Sequence, residues 1–168
     1  MSTKTSNVIL IVGIILVLDQ ATKVIVARTL VLHESVPVIE SFFHLTHERN
    51  TGAAFSLLAE TPAWFRQPFF LLATAVAVVA LLLFLRQTQE TNRLMIVAIA
   101  AILGGALGNL IDRILYGEVV DFLLFHWHGY YWPAFNVADT CITLGVIGLL
   151  WSSAQEHRTR KKEGINAP

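Results

Sequence analysis

The chain has 168 residues, of which 55% are hydrophobic and 14% charged. A typical soluble domain carries about 25% charged residues, and a soluble fold this small could not hide so much apolar surface, so composition points to a small polytopic membrane protein. Twelve basic residues balance twelve acidic ones, which argues against nucleic acid as a partner. Cys141 is the only cysteine, which excludes a disulfide framework and a cysteine-cluster metal site; it is expected to be a small buried packing residue.

The first apolar run, "VILIVGIILVL" from Val8, is unbroken for 11 residues before Asp19. That length covers roughly 17 Å, too little to span a bilayer, so helix 1 must continue through "DQATKVIVA" and take Asp19 and Lys23 with it. Asp19, Gln20 and Lys23 sit badly where a small-residue cleavage site would be, which favours a retained first helix over a cleaved leader. Three further runs of 18 residues, Pro68–Leu85, Leu94–Ile111 and Ala134–Trp151, each approach the length needed to cross hydrocarbon. Between the first two spans, "SVPVIESFFHLTHE" alternates like a strand. The expected fold is therefore an all-α integral membrane protein: four transmembrane helices with a small extracytoplasmic β-platform in the 1–2 connection. It is read as a single domain with helices at about 8–28, 68–85, 94–113 and 134–151, outer connections at about 29–67 and 114–133, and a basic tail at 152–168. Lys4, Arg86, Arg93 and the tail residues Arg158, Arg160, Lys161 and Lys162 place both termini in the cytoplasm by the positive-inside rule.

The awkward polar residues then fall at one depth. Asp19 and Lys23 lie in the outgoing half of helix 1, Asn109, Asp112 and Arg113 where helix 3 exits, and Asn136 and Asp139 where helix 4 enters. Connectivity alone brings all three groups to one face of the bilayer. Asp19 and Lys23 are spaced i,i+4 and can pair along the helix. Asp112 and Arg113, beside Asn109, suggest a supporting polar network. Gly104, Gly105 and Gly108 strip bulk from helix 3 just below it, as close helix packing requires. Asp121 and Asp139 differ from the other carboxylates because neither has a cation nearby in sequence. If the 3–4 connection brings them together, they can share a proton, one acting as base on a water while the other donates to a carbonyl oxygen. The alternative is that Asp139 merely caps helix 4 and Asp121 is solvated; spacing does not choose between them. His44, His47, His126 and His128 could supply metal ligands on paper. However, the first pair lies in a strand-like segment and the second in an aromatic stretch that reads as an interfacial belt, so no metal and no cofactor is expected.

The motifs "DQATK", "NTGAAF", "GGALGNLIDR", "VVDF" and "FNVADT", in this order on a four-span chain, resemble the lipoprotein signal peptidase (signal peptidase II) family. The resemblance implies a membrane aspartic endopeptidase that cleaves prolipoproteins before a diacylglyceryl-modified cysteine. It maps the aspartates of "VVDF" and "FNVADT" to Asp121 and Asp139 as the catalytic pair. Asp19, Lys23, Asn50, Gly52, Asn109, Asp112, Arg113 and Asn136 fall where that family lines or supports its substrate site. Membrane lipid, diacylglyceryl-prolipoproteins and a globomycin-type inhibitor are the implied partners, and a monomer is expected. The competing readings are a small transporter or channel component using the buried charges as a pathway, and a non-catalytic assembly factor.

Overall fold

The computed structural model describes residues 2–52, 58 and 60–165, with side chains as far as His157. Among the described residues four long helices and four strands follow one another: α1 Thr3–Thr29, β1 Ser35–Ile39, β2 Phe43–Asn50, α2 Ala63–Gln87, α3 Arg93–Tyr116, β3 Val119–Trp127, β4 Tyr130–Tyr131 and α4 Val137–Ile165. Each helix is long and apolar enough to cross a membrane.

The helices extend beyond the apolar runs that announce them. α2 begins five residues before Pro68, because its first turns carry Arg66 and Gln67 and so escape a hydropathy criterion. α4 continues to Ile165, well past Trp151, since the intervening Gln, Glu, Arg and Lys are strong helix formers that need no hydrocarbon. Starts and stops are chemically marked. The Asn92 side chain accepts from the Met95 N–H at 3.0 Å at the head of α3, and Gly117, at φ 76°, closes that helix in the left-handed conformation a glycine adopts at no steric cost.

α3 is the central element. Ile99 and Ala100 are fully enclosed, packed with Val8 of α1 and, from α2, Val78 and Leu81. Lipid tails offer helices no hydrophobic reason to associate, so close approach matters most. A side chain at Gly104 would meet Ile15 of α1, one at Gly105 would strike the Ala138 carbonyl of α4, and one at Gly108 would meet the Asp19 carboxylate. The "GGALG" stretch is therefore a packing device, as its small residues suggest. α2, by contrast, buries none of its described residues. At the far end of the bundle, Lys4 Nζ donates to the Leu85 and Thr88 carbonyls at 3.0 and 2.8 Å, tying the N-terminus to the 2–3 connection.

The strands form an antiparallel sheet in the order β1-β2-β3-β4. The β-platform expected from the 1–2 connection is thus present, but half of it comes from the 3–4 connection. "VVDFLLFHW", read as connection and aromatic belt, is the longest strand. Its partner β2 bulges between Leu45 and Glu48, so that Glu48 lies opposite Asp121. Phe135, just before α4, adds a further bridge to Leu123. Through these pairings the sheet delivers Asn50 and Asp121 to the ends of α1, α3 and α4.

Candidate active site

The buried polar groups form two connected clusters. In the first, Lys23 is 2% exposed and Asp19 and Asp112 are 0% and 1% exposed. Lys23 Nζ lies 2.8 Å from Asp19 Oδ2 and 3.1 Å from Asp112 Oδ2, and donates to Asn109 Oδ1 at 2.9 Å. All three of its donors are thereby used, as an ammonium taken out of water demands. The remaining carboxylate positions are also filled. Asp19 Oδ1 accepts from the Ala138 N–H at 2.9 Å, so a side chain of α1 caps the first turn of α4. Asp112 Oδ2 accepts from the Val120 N–H at 3.1 Å, anchoring β3. Asp112 therefore pairs with Lys23 and β3, although Arg113 is its neighbour in sequence.

Gln20 completes this cluster. Its Nε2 reaches Asp112 Oδ1 at 3.0 Å, and both Asp19 Oδ2 and the Gly108 carbonyl at 3.2 Å. In the sequence Gln20 stands out as a poor cleavage-site residue and as part of the "DQATK" motif, without a place in the site. The available signal was an uncharged amide next to an aspartate in an apolar helix, which must find partners in lipid.

The second cluster holds the other two aspartates. Asp121 is 3% exposed, so it is not a solvated side chain. Its Oδ1 accepts from Asn136 Nδ2 at 2.7 Å and its Oδ2 from Asn50 Nδ2 at 3.0 Å. Asp139 does cap α4: its Oδ2 accepts from the Asn136 N–H at 3.2 Å while Asn136 Oδ1 accepts from the Asp139 N–H at 2.9 Å, a reciprocal capping box. Its other oxygen accepts from Asn109 Nδ2 at 2.8 Å. Capping thus orients the carboxylate toward Asn109 and the cleft, so capping does not by itself exclude a reactive role for Asp139. Asn136, fully buried, touches both aspartates and also donates to Asn109 Oδ1 and the Val120 carbonyl, each at 3.2 Å.

Both aspartates line a cleft of about 820 Å³ bounded by β2, β3, α3, the segment preceding α4, and α4 itself. Trp132 and Phe135 form part of its wall, and Thr140, Thr143 and Leu144 continue it along α4. Arg113 also faces it, donating from Nη2 to the Gly52 carbonyl at 3.0 Å and lying 4.7 Å from the centre of the Phe70 ring. Arg113 therefore spans from α3 to the 1–2 connection rather than snorkelling to head groups. Asn50 Oδ1 accepts from the Gly52 N–H at 2.9 Å, which fixes the "NTG" turn; Ala53, Ala54 and Phe55 of the same motif lie outside the described residues. Asp19, Lys23 and Asp112 do not line the cleft but sit behind it. Burial, and then the nearby Asp139 charge, push the Asp121 carboxyl up to about 7. Cys141 is half-buried rather than buried.

Residues 11–155 match the family model of signal peptidase (SPase) II. The chain belongs to the signal peptidase II family. It is 49% identical over 153 residues to the lipoprotein signal peptidase of Syntrophotalea carbinolica, covering 89% of this chain and 94% of that one. It is 51% identical over 138 residues to that of Desulforapulum autotrophicum, covering 82% and 85%. Among solved structures, a bacterial membrane enzyme determined by the in meso method at 2.3 Å superposes with a TM-score of 0.82 at 38% identity, covering 90% of each chain. A multi-pass bacterial membrane peptidase is thus established, and the transporter reading falls. Its physical premise fails too: the buried charges form one layer at one end of the bundle, and α2 buries nothing that could continue a path.

Proposed function

We propose that Asp121 and Asp139 are an aspartic-peptidase pair that hydrolyses the bond on the N-terminal side of a diacylglyceryl-modified cysteine. The peptidase removes signal peptides from prolipoproteins; what is proposed is the chemistry and the geometry of that cleavage. One observation carries it: two carboxylates, Asp121 buried and Asp139 partly buried, share a single cleft, are joined through Asn136, and receive amide or backbone donors among the described residues. Asp121, whose carboxyl is pushed up to about 7, is taken as the member that begins protonated and Asp139 as the base; the same steps run with the two exchanged. Asp139 takes a proton from water as the water oxygen attacks the scissile carbonyl carbon, and Asp121 gives its proton to the carbonyl oxygen. Collapse of the tetrahedral intermediate returns that proton to Asp121, while Asp139 delivers its own to the leaving nitrogen. Neither water nor peptide is left with unbalanced charge, and the pair returns to its starting state.

The substrate's acyl chains fix its depth in the bilayer. Each buried CH₂ contributes about 0.8 kcal/mol, so few side-chain contacts are needed for binding, and the apolar cleft wall at Leu144 and Phe135 suits a lipid-bearing residue. Arg113 and the Asn50–Gly52 turn are placed to hold the peptide backbone. Asp19, Lys23 and Asp112 support α4 and β3 from behind. Both termini are cytoplasmic and the cleft faces outward; globomycin-type inhibitors occupy it, and one chain suffices.

The test is cleavage by purified protein in detergent of a diacylglyceryl-modified prolipoprotein and its unlipidated counterpart, with EDTA as a control. Wild type should cleave the lipidated substrate alone and ignore EDTA, and folded Asp121→Asn and Asp139→Asn should each be inactive. Persistent cleavage in either variant would return that aspartate to a structural role. Unchanged activity in both would favour a non-catalytic factor copurifying with another peptidase.

A further inference from the structure

His44 on β2 and His126 on β3 are not among the cleft-lining residues, and the signal-peptide chemistry has no use for them. Their Nε2 atoms nevertheless lie 3.0 Å apart, with the rings nearly perpendicular at 77°. Both side chains are only partly buried, so small solutes can reach them. Each ring is also oriented from its far side. The His44 Nδ1 is 3.2 Å from Ser35 Oγ, and His126 stacks on Tyr131 at 5.0 Å between ring centres.

We propose that His44 and His126 form a cis bis-imidazole site for a divalent transition metal of tetragonal geometry, Cu²⁺ before Ni²⁺. The nitrogen separation selects the geometry. Two imidazoles bound at about 2.0–2.1 Å stand about 2.9 Å apart at a square-planar or octahedral angle, and about 3.3 Å apart at a tetrahedral one. The observed spacing fits the first, which Cu²⁺ and Ni²⁺ favour, and the stability order of these ions places Cu²⁺ ahead. A proton on His44 Nδ1, donated to Ser35 Oγ, leaves Nε2 with the lone pair that ligation requires. Among the described residues no third His, Cys, Asp or Glu joins them, so water completes the coordination. Bound there, the ion would clamp β2 to β3, the strands that carry Asn50 and Asp121 at their other ends.

The experiment titrates CuCl₂ into detergent-solubilised protein purified without a polyhistidine tag, read by electron paramagnetic resonance and by quenching of tryptophan fluorescence, since Trp127 adjoins His126. Wild type should take up one equivalent saturably, with superhyperfine splitting from two nitrogens. His44→Gln and His126→Gln should lose that signal while still cleaving prolipoprotein, which shows that they fold. His33→Gln and His128→Gln should retain it. Ser35→Ala keeps both ligands and should bind about ten-fold more weakly. Zn²⁺ should bind more weakly than Cu²⁺, because tetrahedral coordination requires the rings to spread. Equal binding by wild type and His44→Gln, or a spectrum without two coordinated nitrogens, would overturn the proposal and leave a hydrogen-bonded histidine pair.

Discussion

The two polar clusters contain the same side chain, aspartate, in two kinds of surroundings. Asp19 and Asp112 share the Lys23 ammonium and are closed off from the cleft. Asp121 and Asp139 face the cleft and are held by asparagine amides and one backbone N–H. A carboxylate that shares a buried ammonium is held in place by it and becomes part of the frame. One held by amides alone is positioned without being neutralised, so its proton remains available. If Asp121 and Asp139 are the reacting pair, as proposed, the partner divides frame from chemistry, for Asp121 is about as buried as Asp19 and Asp112.

The sharpest way to break that contrast is to remove the reactive proton without removing shape. Asp121→Asn and Asp139→Asn should each take cleavage below detection, a loss of at least about 10²-fold, while Asp139→Asn still starts α4 and melts close to wild type in detergent. Removing the shared cation should do the reverse. Lys23→Met strands two carboxylates in a closed site, which is expected to cost about 3–5 kcal/mol of stability, seen as a lower Tm and a smaller folded yield. A Lys23→Met protein as stable as wild type would mean that the frame cluster is dispensable.

A smaller effect separates the clusters by pH. Asp121 holds its proton up to about 7 in the folded protein, against an ordinary value of 3.8. Between those values the folded state keeps a proton that the unfolded chain has lost, so this group's contribution to stability declines as pH rises through that window and is level above it. For activity, kcat/KM should fall as pH rises through about 7, when the acid member is lost. In Asp139→Asn the neighbouring charge is gone, so the Asp121 titration, followed by infrared spectroscopy of its carboxyl stretch, should move downward yet stay above 3.8 because burial remains. An unchanged titration would mean that the two carboxylates do not sense each other. The mildest prediction lies at the opposite end of the bundle, where Ser152 Oγ donates to Asn92 Oδ1 at 3.1 Å. Ser152→Ala should cost about 1 kcal/mol and leave cleavage untouched.

The helices were legible because hydrocarbon imposes a length and a composition that few other sequences meet. The convergence of Asp19, Asn109, Asp112, Asn136 and Asp139 followed from connectivity, since each lies near the same end of its helix. The partner of each group was harder to foresee. Asp112 ignores adjacent Arg113 in favour of Lys23, because side chains at i and i+1 diverge on a helix while facing helices converge. The strand through Asp121 was hidden because "VVDFLLF" lacks clean alternation; it is buried on both sides near its start, and such strands read as continuous apolar runs. The surroundings of Asp139 were also out of reach, since a capping box is visible in sequence but the Asn109 amide that meets its second oxygen is not.

The bond from the Ala138 N–H to Asp19 joins residues 119 positions apart. During synthesis the chain meets these partners at opposite ends of its own history: Asp19 enters the bilayer first, and Ala138 arrives with the last helix. Until α4 inserts, Asp19 lacks that donor, and Asp121 lacks Asn136. The polar layer therefore closes in two stages: Lys23 joins Asp19 to Asp112 once α3 is in place, and α4 brings the Ala138 N–H and Asn136 last.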